Sequence, residues 1–485
     1  MSSLKKNVAY NIILQVTNIL FPFITAPYVS RILGAENIGV FSFASTYASY
    51  FMLFAFLGIP TYGMRAIAKC ENKTDRDKVF AELFSIVAVS TIFISLLYVA
   101  SIYLVPTLYE QRIYLLIMGA SLFLAPTNIS WYFQGRQKFK LIAVRSIIVK
   151  LFIVASLFIF VHDRDDLINY LFLSVGSIVL TDLWNWGYLF KEEKCKISFK
   201  GLNLRTHIKP TLLLFASTVA ISIYTMLDSL MLGFLSSYSE VGYYSSALKI
   251  SRMALPLVTA SSAVVLVKVA SLKEQNDLPE IKRVLQNSFV YMYTFAVPIT
   301  IGLIVIAPKF VPFFFGDEFL QAILPMQILS ALILVIGLSN LFGIQTVQAM
   351  GHDKSFLVAI LFGTFTNVVL NLALIPSYGA VGASLASVIA EIAVTIAMFY
   401  VSTKFIKLSY PAKTVIYPIL ASMPIIVFDR LIDRLELTNF AHLAVLIPSS
   451  IIAFLLIMCF VAKNEIMLNM IKGIAQKINL YGQKN

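Results

Sequence analysis

Apolar residues occur along this chain in fourteen long stretches, which are separated by short polar connections. An apolar helix of about 20 residues crosses the roughly 30 Å hydrocarbon core of a bilayer, and most of the stretches reach that length. The pattern therefore predicts an all-α integral membrane protein with about 14 transmembrane helices. The predicted spans are 8–29, 39–59, 80–105, 113–133, 141–161, 167–190, 211–235, 242–267, 284–307, 321–347, 356–376, 379–402, 414–428 and 440–462.

The composition agrees with a membrane protein, because 59% of the residues are hydrophobic and only 13% are charged. The short connections leave no room for a soluble catalytic domain. We expect the first span to stay in the protein rather than to be removed as a signal peptide. It is too long, it contains Pro22 and Pro27, and it lacks a small-residue cleavage site.

The distribution of basic residues assigns both termini to the inner side of the membrane. Six of the 38 Lys and Arg residues are assigned to outer loops, three (Lys150, Lys249 and Arg252) to spans, and the remaining 29 to inner segments. This bias follows the positive-inside rule. The net charge of +13 therefore reflects topology rather than nucleic-acid binding. The six outer bases are Arg31, Arg112, Arg164, Lys309, Arg430 and Arg434.

The two halves of the chain contain matching short strings at equivalent positions. Gly135 and Gly351 follow spans 4 and 10, and Gly39 and Gly242 are the first residues of spans 2 and 8. A parallel repeat of six plus six spans is a transporter architecture, in which substrate binds between two halves that alternate their access. We therefore expect two pseudo-symmetric six-helix lobes, at 1–200 and 201–405, and an extra helix pair with a cytoplasmic tail at 406–485.

Four motifs make the chain similar to the polysaccharide flippases of the Wzx type. They are Arg31–Gly34 with Gly39, Phe133–Arg136, Phe315–Phe319, and the run Pro376–Ala386 that leads into span 12. This family is part of the multidrug/oligosaccharidyl-lipid/polysaccharide exporter superfamily. Many of its members have twelve spans, so the terminal pair departs from the commonest pattern. Lipid II flippases of the MurJ type share the superfamily and fourteen spans, which keeps that alternative open.

The resemblance implies that the protein moves undecaprenyl-pyrophosphate-linked oligosaccharide repeat units from the inner to the outer leaflet of the cytoplasmic membrane. The product would be a surface polysaccharide such as O-antigen, capsule or exopolysaccharide. The resemblance also implies a polysaccharide polymerase and a chain-length regulator as partners. It implies no cofactor and no enzymatic activity.

Charged residues within spans are costly, so they usually face a cavity or a partner. Lys150 lies near the middle of span 5, and Lys249 and Arg252 share one face of span 8 because they are three residues apart. We expect Lys150 and Arg252, with Arg31 at the outer mouth, to bind the pyrophosphate. Asp228 lies at a depth similar to that of Lys249, and these two could instead form an internal ion pair that joins spans 7 and 8.

Neutral polar residues in span 1 form a stripe that could bind sugars. Asn11, Gln15 and Asn18 recur at helical spacing, so they share one face. Sugar hydroxyl groups need such donors and acceptors, although the same stripe could hydrogen-bond to a neighbouring helix.

Buried acids are candidates for ion coupling. Asp182 in span 6 and Glu391 in span 12, together with Asp228, could carry a proton or Na⁺, because burial favours the protonated carboxyl group. A structural acid with satisfied hydrogen bonds is the alternative. The sequence contains no Walker A string, and its three cysteines have no metal-site spacing.

Two further functions compete with the flippase prediction. The first is a lipid II or multidrug exporter of the same superfamily. A cation–drug exporter should have a cavity dominated by acids, whereas here the basic residues within spans match the acids in number. The second is a membrane-embedded polymerase or ligase, which would need larger outer loops than this chain has.

Overall fold

The computed structural model describes residues 3–464 and 467–468. Every regular element in this part of the chain is a helix, and no strand occurs in it. The prediction of an all-α chain is therefore confirmed. Contacts divide the chain into two compact units, Met1–Gly242 and Tyr243–Asn485. Most of the predicted cytoplasmic tail lies outside the described residues.

Among the described residues, the first unit contains nine complete helices and the start of a tenth. Their bounds are α1 Ser3–Phe56, α2 Ile59–Lys69, α3 Lys73–Leu104, α4 Pro106–Glu110, α5 Arg112–Phe123, α6 Ser130–Gly135, α7 Phe139–Phe160, α8 Leu167–Lys191 and α9 Arg205–Leu235. Short 3₁₀ turns at Ala125–Thr127 and Arg164–Asp166 connect α5 to α6 and α7 to α8.

Helix α10 crosses the boundary between the units, and the remaining described helices belong to the second unit. Their bounds are α10 Tyr238–Thr259, α11 Ser262–Glu274, α12 Leu278–Phe315, α13 Ile323–Ser339, α14 Asp353–Ser402, α15 Ala412–Ser422, α16 Pro424–Asp433 and α17 Asn439–Leu456. A 3₁₀ segment at Asp317–Ala322 precedes α13. Segments of π-helix follow α13 at Asn340–Gln348 and α17 at Ile457–Val461.

Two glycines interrupt the longest helices at places where the sequence predicts a break between spans. Gly34 in α1 has φ 77° and ψ 175°, and Gly379 in α14 has φ 49° and ψ −128°. Both residues have the positive φ that glycine adopts readily because it has no Cβ atom. Each long helix therefore consists of two parts that meet at a kink.

Ten helical segments within the described residues are long and apolar enough to cross a membrane. Two shorter apolar segments, Arg112–Thr127 and Met226–Leu235, fall within predicted spans 4 and 7. The count of fourteen spans stays a prediction. The outward face of α3 has the character that lipid contact requires, because Val89, Ile92 and Leu96 are each 66% exposed at helical spacing.

The glycines of one predicted repeat pair lie against each other. A Cβ atom on Gly39 would lie 1.6 Å from the carbonyl oxygen of Tyr238, and one on Gly242 would lie 2.0 Å from that of Ala35. No side chain fits at either position, so α1 and the start of α10 are in backbone contact. The close approach explains why both copies of this string contain glycine.

An aromatic core holds α2, α3, α6 and α8 together in the first unit. Phe80 on α3 lies 5.7 Å from the ring of Trp131 and 6.0 Å from that of Trp186. Gly135 at the end of α6 lies so close to α2 that a Cβ atom there would be 2.7 Å from the carbonyl oxygen of Met64. This packing fixes the turn that follows α6.

Candidate functional site

A lysine of α7 contacts the polar stripe of α1. The Nζ atom of Lys150 donates a hydrogen bond of 2.5 Å to Oδ1 of Asn18, and it lies 5.7 Å from the centre of the Phe21 ring. The side chain of Lys150 is partly exposed, and those of Gln15 and Asn18 are exposed. The structure therefore brings a predicted phosphate ligand and a predicted sugar ligand together. The side chain of Asn11 lies outside the described part of the chain.

Arg31 lies further along α1 with an exposed side chain. Lys249 and Arg252 on α10 have exposed side chains as well. Asp228 is a buried residue of α9 in the first unit, with 5% of its surface exposed. Its pairing with Lys249 stays a prediction.

Asp182 belongs to a buried polar network of the first unit. Thr127 donates a hydrogen bond of 2.7 Å from its hydroxyl group to Oδ2 of Asp182. Arg145 on α7 interacts electrostatically with Asp182 and donates a hydrogen bond to Oδ1 of Asn185. Trp186 donates from Nε1 to the carbonyl oxygen of Thr127 at 2.9 Å. The network joins α7, α8 and the turn between α5 and α6.

Arg145 is a buried base that the sequence analysis missed. The charge count assigned it to an inner segment, but the structure buries it within α7 with 5% of its surface exposed. Its Nε atom is buried and makes no hydrogen bond within the described residues. The available signal was its position inside predicted span 5, where an isolated charge is costly.

Glu391 is buried on α14, with 6% of its surface exposed. Two buried asparagines lie on the preceding part of the same helix, and Asn371 donates from Nδ2 to Oδ1 of Asn367 at 3.0 Å. Ser387, one turn before Glu391, shares a hydrogen bond of 3.0 Å with the hydroxyl group of Tyr244. Buried polar side chains therefore occur at several positions along α14.

A second polar cluster of the first unit was not predicted. His207 at the start of α9 makes a 2.8 Å contact from Nε2 to Oε2 of Glu82 and another of 2.8 Å from Nδ1 to the hydroxyl group of Tyr62. The Asn203 amide donates to the other oxygen of Glu82 at 2.7 Å. These contacts tie the start of α9 to α2 and α3. Among the described residues, no group of three His, Cys, Asp or Glu side chains could hold a metal ion.

The fold is similar to that of two solved structures of low sequence identity. The structure titled "Lipid II flippase MurJ, inward closed conformation" matches with a TM-score of 0.72 and 17% identity, over 95% of this chain and 100% of that one. An inward-facing multidrug resistance MATE family transporter of the MOP superfamily matches with a TM-score of 0.66 and 14% identity, over 79% of this chain and 93% of that one.

The chain belongs to the family described as "Polysaccharide biosynthesis protein", whose model matches residues 4–271. The "Putative O-antigen transporter" of Escherichia coli (strain K12) is 26% identical over 402 residues, which cover 81% of this chain and 95% of that protein. The "Probable low-salt glycan biosynthesis flippase Agl15" of Haloferax volcanii is 23% identical over 80% of this chain and 81% of its own length. The resemblance drawn from the four motifs is therefore confirmed.

Proposed function

We propose that this protein flips undecaprenyl-pyrophosphate-linked oligosaccharide repeat units from the inner to the outer leaflet, by alternating access, for surface polysaccharide biosynthesis. The observation that carries the proposal is the similarity to relatives named for O-antigen transport and for glycan flipping, over about four-fifths of the chain. A lipid-linked oligosaccharide has a charged pyrophosphate, neutral sugars and a long apolar tail. A site for it needs cations and neutral hydrogen-bonding groups side by side.

The contact between Lys150 and Asn18 supplies both kinds of group in one place. In this proposal Lys150, Arg31, Lys249 and Arg252 bind the pyrophosphate. Asn11, Gln15 and Asn18 bind the sugars.

The carboxyl groups of Asp182, Asp228 and Glu391 are the proposed sites of ion coupling. All three are buried within predicted spans. With a negative interior, the membrane potential contributes about 2.3 kcal/mol per 100 mV for each negative charge that moves outward. A coupled cation would then help to return the empty, positively charged site.

The proposed topology has fourteen spans and both termini on the inner side of the cytoplasmic membrane. In this topology the kinks at Gly34 and Gly379 would each divide one long helix into two crossings, and the two shorter apolar segments would add two more. The six-helix lobes would be 1–200 and 201–405, with the extra pair and the tail at 406–485. The protein would be a transporter rather than an enzyme, and it would supply a polymerase and a chain-length regulator.

The fold likeness to the lipid II flippase structure supports one alternative substrate, which is lipid II itself. A deletion strain separates the two. The proposal expects lipid-linked repeat units to accumulate on the inner leaflet and surface polysaccharide to disappear while cell-wall synthesis continues. Normal surface polysaccharide with arrested cell-wall synthesis would reject the proposal in favour of lipid II.

A further inference from the structure

Three basic side chains surround one carboxylate where α3 begins, α6 ends and α8 ends. Nζ of Lys138 lies 3.6 Å from Oε1 of Glu193, while Nε of Arg136 and an Nη atom of Arg76 lie 3.5 and 3.9 Å from Oε2. We call these four residues the Glu193 cluster. It contains two more positive charges than negative ones.

The cations of the Glu193 cluster retain unused hydrogen-bonding capacity. A charged N–H donor normally lies about 2.7–2.9 Å from its acceptor oxygen, so all three distances to Glu193 are long. The Nε atom of Arg136 is buried, and among the described residues it makes no hydrogen bond. Arg76 is partly engaged, because its Nε donates to the hydroxyl group of Tyr132 at 3.2 Å.

The turn between α6 and α7 builds the exposed side of the cluster. The Lys138 amide donates to the carbonyl oxygen of Phe133 at 2.9 Å, and Gln137 has φ 55°. This tight turn directs Arg136 and Lys138 to the same carboxylate. Their side chains stay 34% and 39% exposed, whereas that of Glu193 is 7% exposed. An anion can therefore reach both bases from outside.

Asp77, the residue after Arg76 on α3, contacts the segment that follows α8. Oδ2 of Asp77 accepts a hydrogen bond of 3.0 Å from the backbone amide of Lys196. Lys73 donates to the carbonyl oxygen of Lys194 at 2.6 Å, which adds a further base near the same segment. Asp77 keeps its negative charge in this hydrogen bond, and Lys73 adds one positive charge, so the surplus of two positive charges remains when both are counted.

We propose that the Glu193 cluster binds the phosphate group of a lipid headgroup, through Arg136 and Lys138, in competition with Glu193. A phosphate or pyrophosphate supplies several acceptor oxygens and about two negative charges, which match the surplus. The ligand is either the pyrophosphate of the transported lipid before it moves or the headgroup of an anionic phospholipid. The first source rests on the proposed function and orientation, and the second does not.

Binding of inorganic pyrophosphate to the full-length protein, in nanodiscs of phosphatidylcholine, tests the site by equilibrium dialysis. Replacing Lys138→Gln or Arg136→Gln should weaken binding about tenfold each, since each removes one direct charge contact. Lys140→Gln is the matched control, because Lys140 is an exposed base two residues away that makes no contact with Glu193 among the described residues. It should change binding by less than about twofold.

The decisive variant is Glu193→Gln, which removes the competing carboxylate and should tighten pyrophosphate binding about tenfold. Unchanged pyrophosphate binding after this change would contradict competition between Glu193 and the anion. Equal binding by the Lys138→Gln, Arg136→Gln and Lys140→Gln proteins would overturn the proposal, even if Glu193→Gln failed to fold.

A second arm identifies the source of the phosphate. Nanodiscs that contain one-fifth phosphatidylglycerol should weaken pyrophosphate binding by wild type more than by Lys138→Gln if phospholipid occupies the site. If phosphatidylglycerol lowers pyrophosphate binding equally in wild type and Lys138→Gln, phospholipid does not occupy the site. The transported lipid is then the remaining source of the phosphate. Either result keeps the cluster as an anion site, and a failure of the flippase proposal in the deletion strain would leave these binding measurements unaffected.

Discussion

The ammonium group of Lys150 on α7 donates a 2.5 Å hydrogen bond to the side-chain carbonyl of Asn18 on α1. The two residues are 132 positions apart in the chain. The contact holds the flexible lysine side chain beside a neutral polar stripe, with its remaining two N–H donors able to bind another acceptor. The contact places a cation that can bind phosphate next to amide groups that can hydrogen-bond to sugar hydroxyl groups.

The variant Lys150→Gln should lower export of repeat units at least tenfold, because it removes the cation while keeping a polar side chain of similar length. Lys150→Arg should retain most of the activity, since guanidinium also binds phosphate. Surface polysaccharide is measured against the amount of protein in the membrane. Lys140→Gln, on the same helix, is the control. Full export by Lys150→Gln would remove this residue from the proposed site.

The variant Asp182→Asn separates ion coupling from a structural role. Asparagine can still accept the hydrogen bond that Thr127 donates, but it loses the attraction to Arg145, so we expect destabilisation of about 1–2 kcal/mol and compare export per amount of folded protein in the membrane. If Asp182 carries the coupling ion, export should fall and lose its dependence on the ion gradient. Export that keeps the wild-type dependence on ionophores would assign Asp182 to structure alone.

Loss of the Arg145 side chain should destabilise the protein. Arg145→Gln removes a buried hydrogen bond of a charged group to Asn185 and the attraction to Asp182, at a cost of about 2 kcal/mol. The measurement is thermal unfolding in detergent. Arg65→Gln, a change at an exposed residue of α2, should stay within about 0.5 kcal/mol of wild type. Equal melting of the two variants would show that the network contributes nothing to stability.

The contact between α1 and the start of α10 leaves no room for a methyl group. Gly39→Ala would place its Cβ atom 1.6 Å from the carbonyl oxygen of Tyr238, so the two backbones must separate. We expect destabilisation of about 3 kcal/mol and little folded protein. Gly176→Ala on α8 is the control, because its Cβ atom would meet nothing within 4 Å. Stable Gly39→Ala protein would contradict the backbone contact.

The reactivity of two cysteines towards maleimide should depend on pH. Burial raises the pKa of the Cys195 thiol to about 12, with a further contribution from the adjacent Asp77. Burial also raises the pKa of Cys70. Because the thiolate is the nucleophile, a raised pKa lowers its fraction near neutral pH. In a Cys459→Ser background, Cys70 should react slowly at neutral pH and faster as the pH rises. Cys195 should react only after the protein is unfolded.

Rapid labelling of Cys195 in the folded protein at pH 7 would contradict its burial. A Cys195→Ser protein identifies the signal that belongs to Cys70.

Most of the secondary structure followed from local sequence. Spans of the required length were predicted from apolar runs, and the breaks near Gly34 and Gly379 from polar or glycine-containing junctions. The helical ends were less predictable. Spans 1 and 2 form one kinked helix, α1, because a single glycine with positive φ can bend the chain without a separate loop.

Side-chain partners could not be predicted from local sequence. Arg145 was assigned to an inner segment, and Glu193 was not singled out, because their significance depends on residues from other helices. The motif that ends in Arg136 was recognised as a family signature, but its carboxylate partner lies at the end of α8. The packing of Gly135 against α2 and the aromatic core shared by α3, α6 and α8 bring these parts together.

The sequence alone determined the class of protein. The length of an apolar span and the side of the membrane on which bases lie depend on the free energy of transferring each segment from water to lipid. That free energy is set by the local composition of the segment. The tertiary structure decided which polar groups meet: Lys150 with Asn18, Arg145 with Asn185, and Glu193 with its three bases. These contacts depend on how helices pack across long sequence separations, where a shift of a few ångströms separates a hydrogen bond from none.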